Sequence, residues 1–95
     1  MLNTSALPVA LITGSAKRLG RQTAITLHNA GYNVIIHCNH SRDDAAALAQ
    51  HLNQQRTNSA AVLQADLLDE QLWPTLAANA IACFGRLDVL VNNAS

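Results

Sequence analysis

The stretch TGSAKRLG, residues 13–20, decides how this chain folds. It follows a short apolar run, residues 9–13, that predicts a strand buried on both faces, and it leads into residues 19–29, which suit a helix. A turn between a buried strand and a helix presents free backbone amides and the positive end of the helix dipole, which together suit a pyrophosphate. Gly14 permits the tight turn, and Gly20 permits close packing of the helix on the strand. Because ordinary strand–helix connections also carry glycines at this spacing, the motif needs support from the rest of the chain.

The rest of the chain repeats the same alternation of strand and helix. Further strands are predicted at residues 33–38, 60–64 and 87–92, and a second helix opens at Ser41. A third helix begins near Asp69 or near Trp73, because Pro74 fits a first turn but kinks a helix interior, and it ends at Gly85. This order predicts an α/β fold: a doubly wound, Rossmann-like parallel sheet with strand order 3-2-1-4.

The predicted domain organisation is a short extension followed by one incomplete unit. Residues 1–8 form the N-terminal extension, and residues 9–95 form the N-terminal part of a dinucleotide-binding domain. The fourth strand carries the apolar segment VLV and is expected to be buried on both faces, although nothing follows it to cover its outer edge. We therefore expect a domain truncated after its fourth strand.

Composition excludes several classes of partner. The 95 residues are 49% hydrophobic and 13% charged with a formal net charge of zero, so no charged surface for nucleic acid or an anionic membrane is expected. No apolar run approaches the roughly 18 residues that span a bilayer, and we expect a cytoplasmic protein. Cys38 and Cys83 lack disulfide or zinc spacing. The segment HCNH, residues 37–40, is not expected to bind metal, because neighbouring strand residues point to opposite faces.

The end of the second strand bears on which dinucleotide is bound. NAD-specific folds place an acidic residue there, on the ribose hydroxyl, but no acidic residue occurs between Arg21 and Arg42. Asn39, His40 and Ser41 and the helix that follows can all hydrogen-bond to a 2′-phosphate, which a carboxylate would repel. NADP is therefore favoured over NAD.

Polar residues at the ends of three strands have structural as well as ligand-binding interpretations. Ser41, with Asp44 three residues later, can cap its helix as well as bind phosphate, and His40 can be a solvated loop residue. Asp66 either accepts a hydrogen bond from an adenine amino group or caps its own turn. Asn92 and Asn93 need partners at the end of a buried strand, and we expect them to tie neighbouring strands and line the cofactor cleft.

Taken together, TGSAKRLG, the pair Asp66-Leu67 and the segment LDVLVNNAS resemble the short-chain dehydrogenase/reductase family from Val9 onward. Most members of that family carry glycine at the positions of Arg18 and Ser95. Both departures resemble the pteridine reductases, which have an AKRLG cradle, a strand end that finishes in serine, and NNAS.

This resemblance implies roles for individual residues. Arg18 would lie beside the pyrophosphate and reach the pterin pocket, Lys17 would supply a base for the 2′-phosphate, and Ser95 would contact cofactor and pterin. Asn39 and His40 replace the usual His-Arg pair of the 2′-phosphate segment. The residues predicted to bind the cofactor are Gly14, Lys17, Arg18, Leu19, Gly20, Asn39, His40, Ser41, Asp66, Leu67, Asn93, Ala94 and Ser95.

The chain lacks the catalytic pair that the resemblance requires. Chemistry in this family uses a tyrosine and a lysine four residues later, whereas Tyr32 is followed at that spacing by Ile36 and Lys17 is the sole lysine. No catalytic residue is therefore predicted here, and the segment is expected to bind part of the cofactor without reducing a substrate.

Three functional interpretations remain open. The first is the N-terminal NADPH-binding portion of a pteridine reductase that reduces dihydropterins or dihydrofolate-like molecules by hydride transfer and is a homo-oligomer at full length. The second is another short-chain reductase, acting on a ketoacyl carrier or a sugar. The third is a truncated, non-catalytic nucleotide-binding module.

Overall fold

The computed structural model describes residues 5–93. Its elements, in chain order, are β1 (Val9–Ile12), α1 (Arg18–Asn29), β2 (Asn33–Cys38), α2 (Arg42–Gln55), β3 (Ala60–Gln64), a 3-10 turn (Glu70–Leu72), α3 (Trp73–Phe84) and β4 (Val89–Val91). None of the helices in this range is both long enough and apolar enough to cross a membrane.

The four strands form one parallel sheet in the order β3-β2-β1-β4, which confirms the predicted topology. Successive residues of the central strand β1 face opposite layers: Ala10 and Ile12 pack in the cluster formed with α1 and α2, whereas Val9 and Leu11 pack towards α3. A central strand covered on both faces has no polar side to present, which explains why β1 is apolar throughout. The carboxyl ends of β1, β2 and β3 consequently meet at one edge of the sheet.

The predicted boundaries need small adjustments. β1 ends at Ile12 instead of Thr13, and α1 begins at Arg18 instead of Leu19. At the third helix, the 3-10 turn occupies residues 70–72 and α3 begins at Trp73, so Pro74 lies in the first turn, where no intrahelical amide bond is lost. Gly85 ends this helix as predicted, with a left-handed φ of 78°.

The prediction that β4 is buried on both faces was wrong. Val89 and Val91 are half-buried against the first core cluster, but Leu90 points to the other face and is 62% exposed. β4 lies at the edge of the sheet, whereas α3 packs mainly over β2 and β3, with its Ala80 and Phe84 in the same core cluster as Ile35. No helix in residues 5–93 covers the outward side chain of β4.

Candidate functional site

The turn between β1 and α1 is fastened to β2 through its first two residues. The Gly14 amide donates to His37 Nδ1 at 2.9 Å, and the Ser15 amide donates to the His37 carbonyl oxygen at 2.9 Å. The Ser15 hydroxyl donates to the Ile12 carbonyl oxygen at 2.7 Å and accepts from the His37 amide at 3.1 Å. Gly14, with a φ of 60°, makes the reversal that brings these groups together. The amides of Gly14 and Ser15 are therefore already used by the protein.

The amides open to a ligand lie further along, at the start of α1. Arg21 is the first residue of this helix whose amide finds a backbone acceptor, the Lys17 carbonyl oxygen at 3.2 Å. The amides of Arg18, Leu19 and Gly20 belong to the unpaired first turn that every helix has. Arg18 and Leu19 are exposed, with Leu19 72% exposed, whereas Gly20 is buried against Gly14 and Asn93. Three amide donors at the positive end of a 12-residue helix form a seat for an anion.

Gly20 holds α1 unusually close to β1. A β-carbon at this position would lie 3.0 Å from the Gly14 carbonyl carbon and closer still to the carbonyl oxygen and the Asn93 side chain. Asn93 locks the same contact, because its side-chain amide donates to Gly14 O at 3.3 Å and its backbone amide donates to Thr13 Oγ1 at 2.9 Å. The expected tie between β4 and the cradle is thus present.

Arg18 adopts a left-handed backbone conformation, with a φ of 57°. For residues with a side chain this conformation costs about 1–2 kcal/mol, whereas glycine adopts it freely. The glycine typical of this position in the resembling family therefore has a conformational reason. Arg18 bears that cost and leaves its guanidinium exposed beside Lys17 and Arg21 in a groove of about 350 Å³.

Replacing Arg18 in two ways separates its backbone from its charge. Both R18A and R18G remove the guanidinium, but only glycine relieves the left-handed strain. We therefore expect the free energy of unfolding of R18G to exceed that of R18A by about 1 kcal/mol. Urea denaturation of the two variants measures this difference. Equal stabilities would contradict the assignment of strain to this residue.

Lys17 lies next to the first turn of α2. Its Nζ is 3.5 Å from Asp44 Oδ2, and both side chains are more than half exposed. An exposed pair of this kind contributes at most about 1 kcal/mol, so Lys17 can exchange this carboxylate for another anion at little cost. The pair places an exposed cation beside the N-terminus of α2.

Ser41 is the N-cap residue of α2, as expected, but its hydroxyl does not cap the helix. No side-chain hydrogen bond to the helix amides forms, because the backbone of Ser41, with φ −89° and ψ 51°, departs from the extended conformation that directs a capping hydroxyl at them. Asp44 pairs with Lys17 instead of completing a capping box. Within residues 5–93 the Ser41 hydroxyl has no partner and remains available to a ligand.

The other two residues of the predicted 2′-phosphate segment differ in their surroundings. Asn39 lines the large cleft, and its carbonyl oxygen accepts from Gln64 Nε2 at 2.8 Å, which ties the end of β2 to β3. His40 is exposed, and its imidazole forms no hydrogen bond with the described residues. The structure thus fixes the backbone of this segment and leaves the imidazole in solvent.

A cleft of about 680 Å³ runs from the carboxyl ends of the strands along the space between α3 and β4. Gly14, Asn39, Asp66 and Leu67 line it, which brings four of the predicted cofactor residues to one cavity. Asp66 Oδ1 accepts from the Leu68 amide at 3.0 Å, so the turn-capping interpretation of Asp66 is confirmed. The adenine interpretation stays a prediction, and the exposed carboxylate can serve it with its second oxygen.

Tyr32 and Cys38 are at least partly buried, and residues 5–93 hold no cluster of metal ligands. Tyr32 is partly buried against the first core cluster, at the junction of α1 and β2 as expected. Burial raises the pKa of the Cys38 thiol, and the positive charge of Arg42 opposes this rise only in part. Cys38 therefore stays protonated at neutral pH. No three side chains among His, Cys, Asp and Glu converge as metal ligands in this range.

Sequence reasoning missed His37 as a residue of the site. A histidine that follows the apolar residues 34–36 inside the buried strand β2 must have its ring nitrogens satisfied, and this signal was available in the sequence. It also missed Arg21 and Asp44, which share the groove with Lys17 and Arg18. The predictions for Ala94 and Ser95 lie outside the described residues.

Comparison with known proteins agrees with this geometry. Residues 8–95 match the short chain dehydrogenase family. Pteridine reductase 1 of Leishmania tarentolae is 43% identical over 112 aligned positions, covering 100% of this chain and 39% of that protein. A 3-oxoacyl-[acyl-carrier-protein] reductase of Staphylococcus aureus is 35% identical, covering 90% and 34%, and versicolorin reductase 1 of Aspergillus parasiticus is 33% identical, covering 90% and 32%. The chain therefore spans about a third to two fifths of the length of these relatives.

Proposed function

Because the chain belongs to the short-chain dehydrogenase family, we propose that it is the N-terminal NADPH-binding portion, residues 9–95, of a pteridine reductase. Members of this family bind NAD or NADP, and the observation that carries the proposal is the anion seat at the start of α1. The seat consists of the free amides of Arg18, Leu19 and Gly20, and no larger residue can replace Gly20 without a clash. The cleft at the adjoining strand ends has room for a large ligand.

The residues present fit such a cofactor along its whole adenosine half. The amides of Arg18, Leu19 and Gly20 would bind the pyrophosphate. Asp66 and Leu67 would lie next to the adenine. When bound, NADPH supplies a hydride for reduction of the substrate. The contribution of this chain is to hold and orient the cofactor, because it contains no tyrosine followed by lysine at the required spacing.

A preference for NADP is supported by the groups around the start of α2. The Ser41 hydroxyl is uncommitted, Lys17 is held only by an exposed ion pair, and no carboxylate stands at the end of β2. A 2′-phosphate would gain charge-assisted hydrogen bonds from the hydroxyl, the lysine and the helix amides. Asp43 and Asp44 are the acidic residues in the first turn of α2, and Lys17 pairs with Asp44, so a bound phosphate would share the lysine with that carboxylate.

A pterin is the proposed substrate class. The support is the 43% identity with a pteridine reductase, together with arginine in place of glycine at position 18. The exposed guanidinium of Arg18 stands beside the anion seat, where it can contact both a bound cofactor and a polar heterocycle.

The free thiols of Cys38 and Cys83 fit the cytoplasm, and we expect the full-length enzyme to be a homo-oligomer.

A second candidate function is reduction of a 3-oxoacyl thioester. It is favoured by the 35% identity with a carrier-protein reductase over 90% of the chain. Assay of the full-length protein with a dihydropterin and with a 3-oxoacyl thioester would separate the two, and a preference for the thioester would contradict the pterin proposal. Dinucleotide binding without either activity would favour a non-catalytic module.

Titration with NADPH and NADH tests the cofactor proposal on the chain itself. We expect NADPH to bind at least about tenfold more tightly, and S41A to weaken NADPH binding about tenfold while leaving NADH unchanged, because one charge-assisted hydrogen bond is lost. Q50A is the matched control, since Gln50 is exposed on the same helix and its side chain forms no hydrogen bond with the described residues. Equal affinities for NADH and NADPH would contradict the phosphate assignment.

A further inference from the structure

We propose that His37 is a positioning residue for the dinucleotide cradle: its imidazole holds the Gly14 peptide and the loop after β3 at the separation that the cofactor requires. This inference rests on the proposed function, because it assigns a role towards a dinucleotide bound at the start of α1. The ring belongs to β2, but it joins the two loops on either side of that strand.

The geometry of the ring determines which nitrogen carries the proton. His37 is 3% exposed, Nδ1 lies 2.9 Å from the Gly14 amide nitrogen, and Nε2 lies 2.9 Å from the Ala65 carbonyl oxygen. An amide can only donate and a carbonyl can only accept, so Nδ1 is the acceptor and Nε2 carries the hydrogen. The ring is thus the neutral Nε2-protonated tautomer, with both nitrogens satisfied.

Each of the two contacts controls one side of the ligand cleft. Gly14 begins the turn that leads to the anion seat, and its carbonyl group lies against Gly20. Ala65 begins the loop that carries Asp66 and Leu67, which line the same cleft as Gly14. The imidazole therefore sets the spacing between the pyrophosphate side and the adenine side.

The contact with Gly14 also determines where an anion can sit. Because the ring accepts the hydrogen bond of the Gly14 amide, that amide is not available to an anion, whereas the helix amides on the axis of α1 are. Without the ring, the Thr13–Gly14 peptide that carries this amide would lose its tie to β2, and Gly14, whose own carbonyl group packs against Gly20, would be freer to move. We expect this motion to disturb the seat for any dinucleotide, with or without a 2′-phosphate.

Two variants separate the contacts of the ring. H37L removes both hydrogen bonds, whereas H37N keeps an acceptor oxygen at the position of Nδ1 and loses the reach to Ala65. We expect H37L to weaken NADPH and NADH by the same factor, about tenfold, and H37N, which keeps only the Gly14 contact, to weaken both by an intermediate factor of about threefold. Titrations are corrected for the folded fraction of each variant, measured by circular dichroism and urea denaturation.

Nitrogen-15 NMR supplies a reading that does not depend on ligand. The wild-type ring should show the Nε2-protonated tautomer, and the Gly14 amide resonance should shift in H37L but little in H37N. A proton on Nδ1, or a Gly14 resonance unchanged in H37L, would overturn the inference.

The binding results distinguish this inference from the proposed function. Folded H37L that binds both dinucleotides like the wild type overturns the positioning role alone, and so does a loss confined to NADPH. A wild-type chain that binds neither dinucleotide overturns the proposed function and the positioning role with it.

Discussion

G20A is expected to unfold more easily than the wild type by about 2–3 kcal/mol and to bind dinucleotides about a hundredfold more weakly. The added methyl group would overlap the Gly14 carbonyl, so α1 must move away from β1. That movement displaces the three amides of the anion seat, one of which belongs to residue 20 itself. Small domains have little stability to lose, so the change should be plain in urea denaturation and in cofactor titration.

The sign of the change in the free energy of unfolding of G20A tests whether α1 packs closely at Gly20. Gly20 lies within α1, where alanine is intrinsically favoured over glycine by about 1 kcal/mol, so without a clash G20A would stabilise the chain. G31A is the matched control, because a β-carbon at Gly31 meets nothing within 4 Å and only its φ of 100° opposes the change. G31A should be destabilised by about 1 kcal/mol and bind normally. A G20A variant as stable as the wild type would refute the close packing of α1 on β1.

N39D is expected to reverse the proposed cofactor preference. The substitution keeps the shape of the side chain and places a carboxylate at the end of β2, where it would repel a 2′-phosphate and accept hydrogen bonds from an unphosphorylated ribose. We expect NADPH affinity to fall about thirtyfold or more and NADH affinity to stay the same or rise. Fluorescence titration with both dinucleotides at constant ionic strength measures the ratio.

The charge change itself is controlled with N79D. Asn79 is exposed on α3, which packs on the other face of the sheet from α1 and α2, so N79D adds the same charge away from the proposed phosphate site. Its NADPH affinity should match that of the wild type. If N39D binds NADPH as tightly as N79D does, the phosphate does not lie near the end of β2.

The order of the elements could be predicted because local patterns determine it. The apolar runs of β1 and β2 and the stop at Gly85 depend on residues close in sequence. The exposure of Leu90 could not be predicted, because it depends on how far α3 extends over the sheet.

The site was predictable to a similar degree. The turn with its two glycines was found from the sequence, and Asn93 was expected to tie the strands. The contact of His37 with Gly14 joins residues 23 positions apart, and the pairing of Lys17 with Asp44 depends on how two helices approach each other. The sequence indicates that a histidine in a buried strand needs partners, but the identity of those partners, and the pairing of Lys17 with Asp44, follow only from the assembled fold.

The left-handed backbone of Arg18 sets folding and recognition against each other. Its conformational penalty is present in every molecule at all times, whereas the benefit of the guanidinium arises only while a ligand is bound. Glycine at this position would make the more stable protein, whereas arginine would, under the proposed function, bind the ligand more tightly. Selection for stability alone should therefore favour replacement of Arg18 by glycine. If related sequences keep the arginine, we infer that selection for ligand binding maintains it.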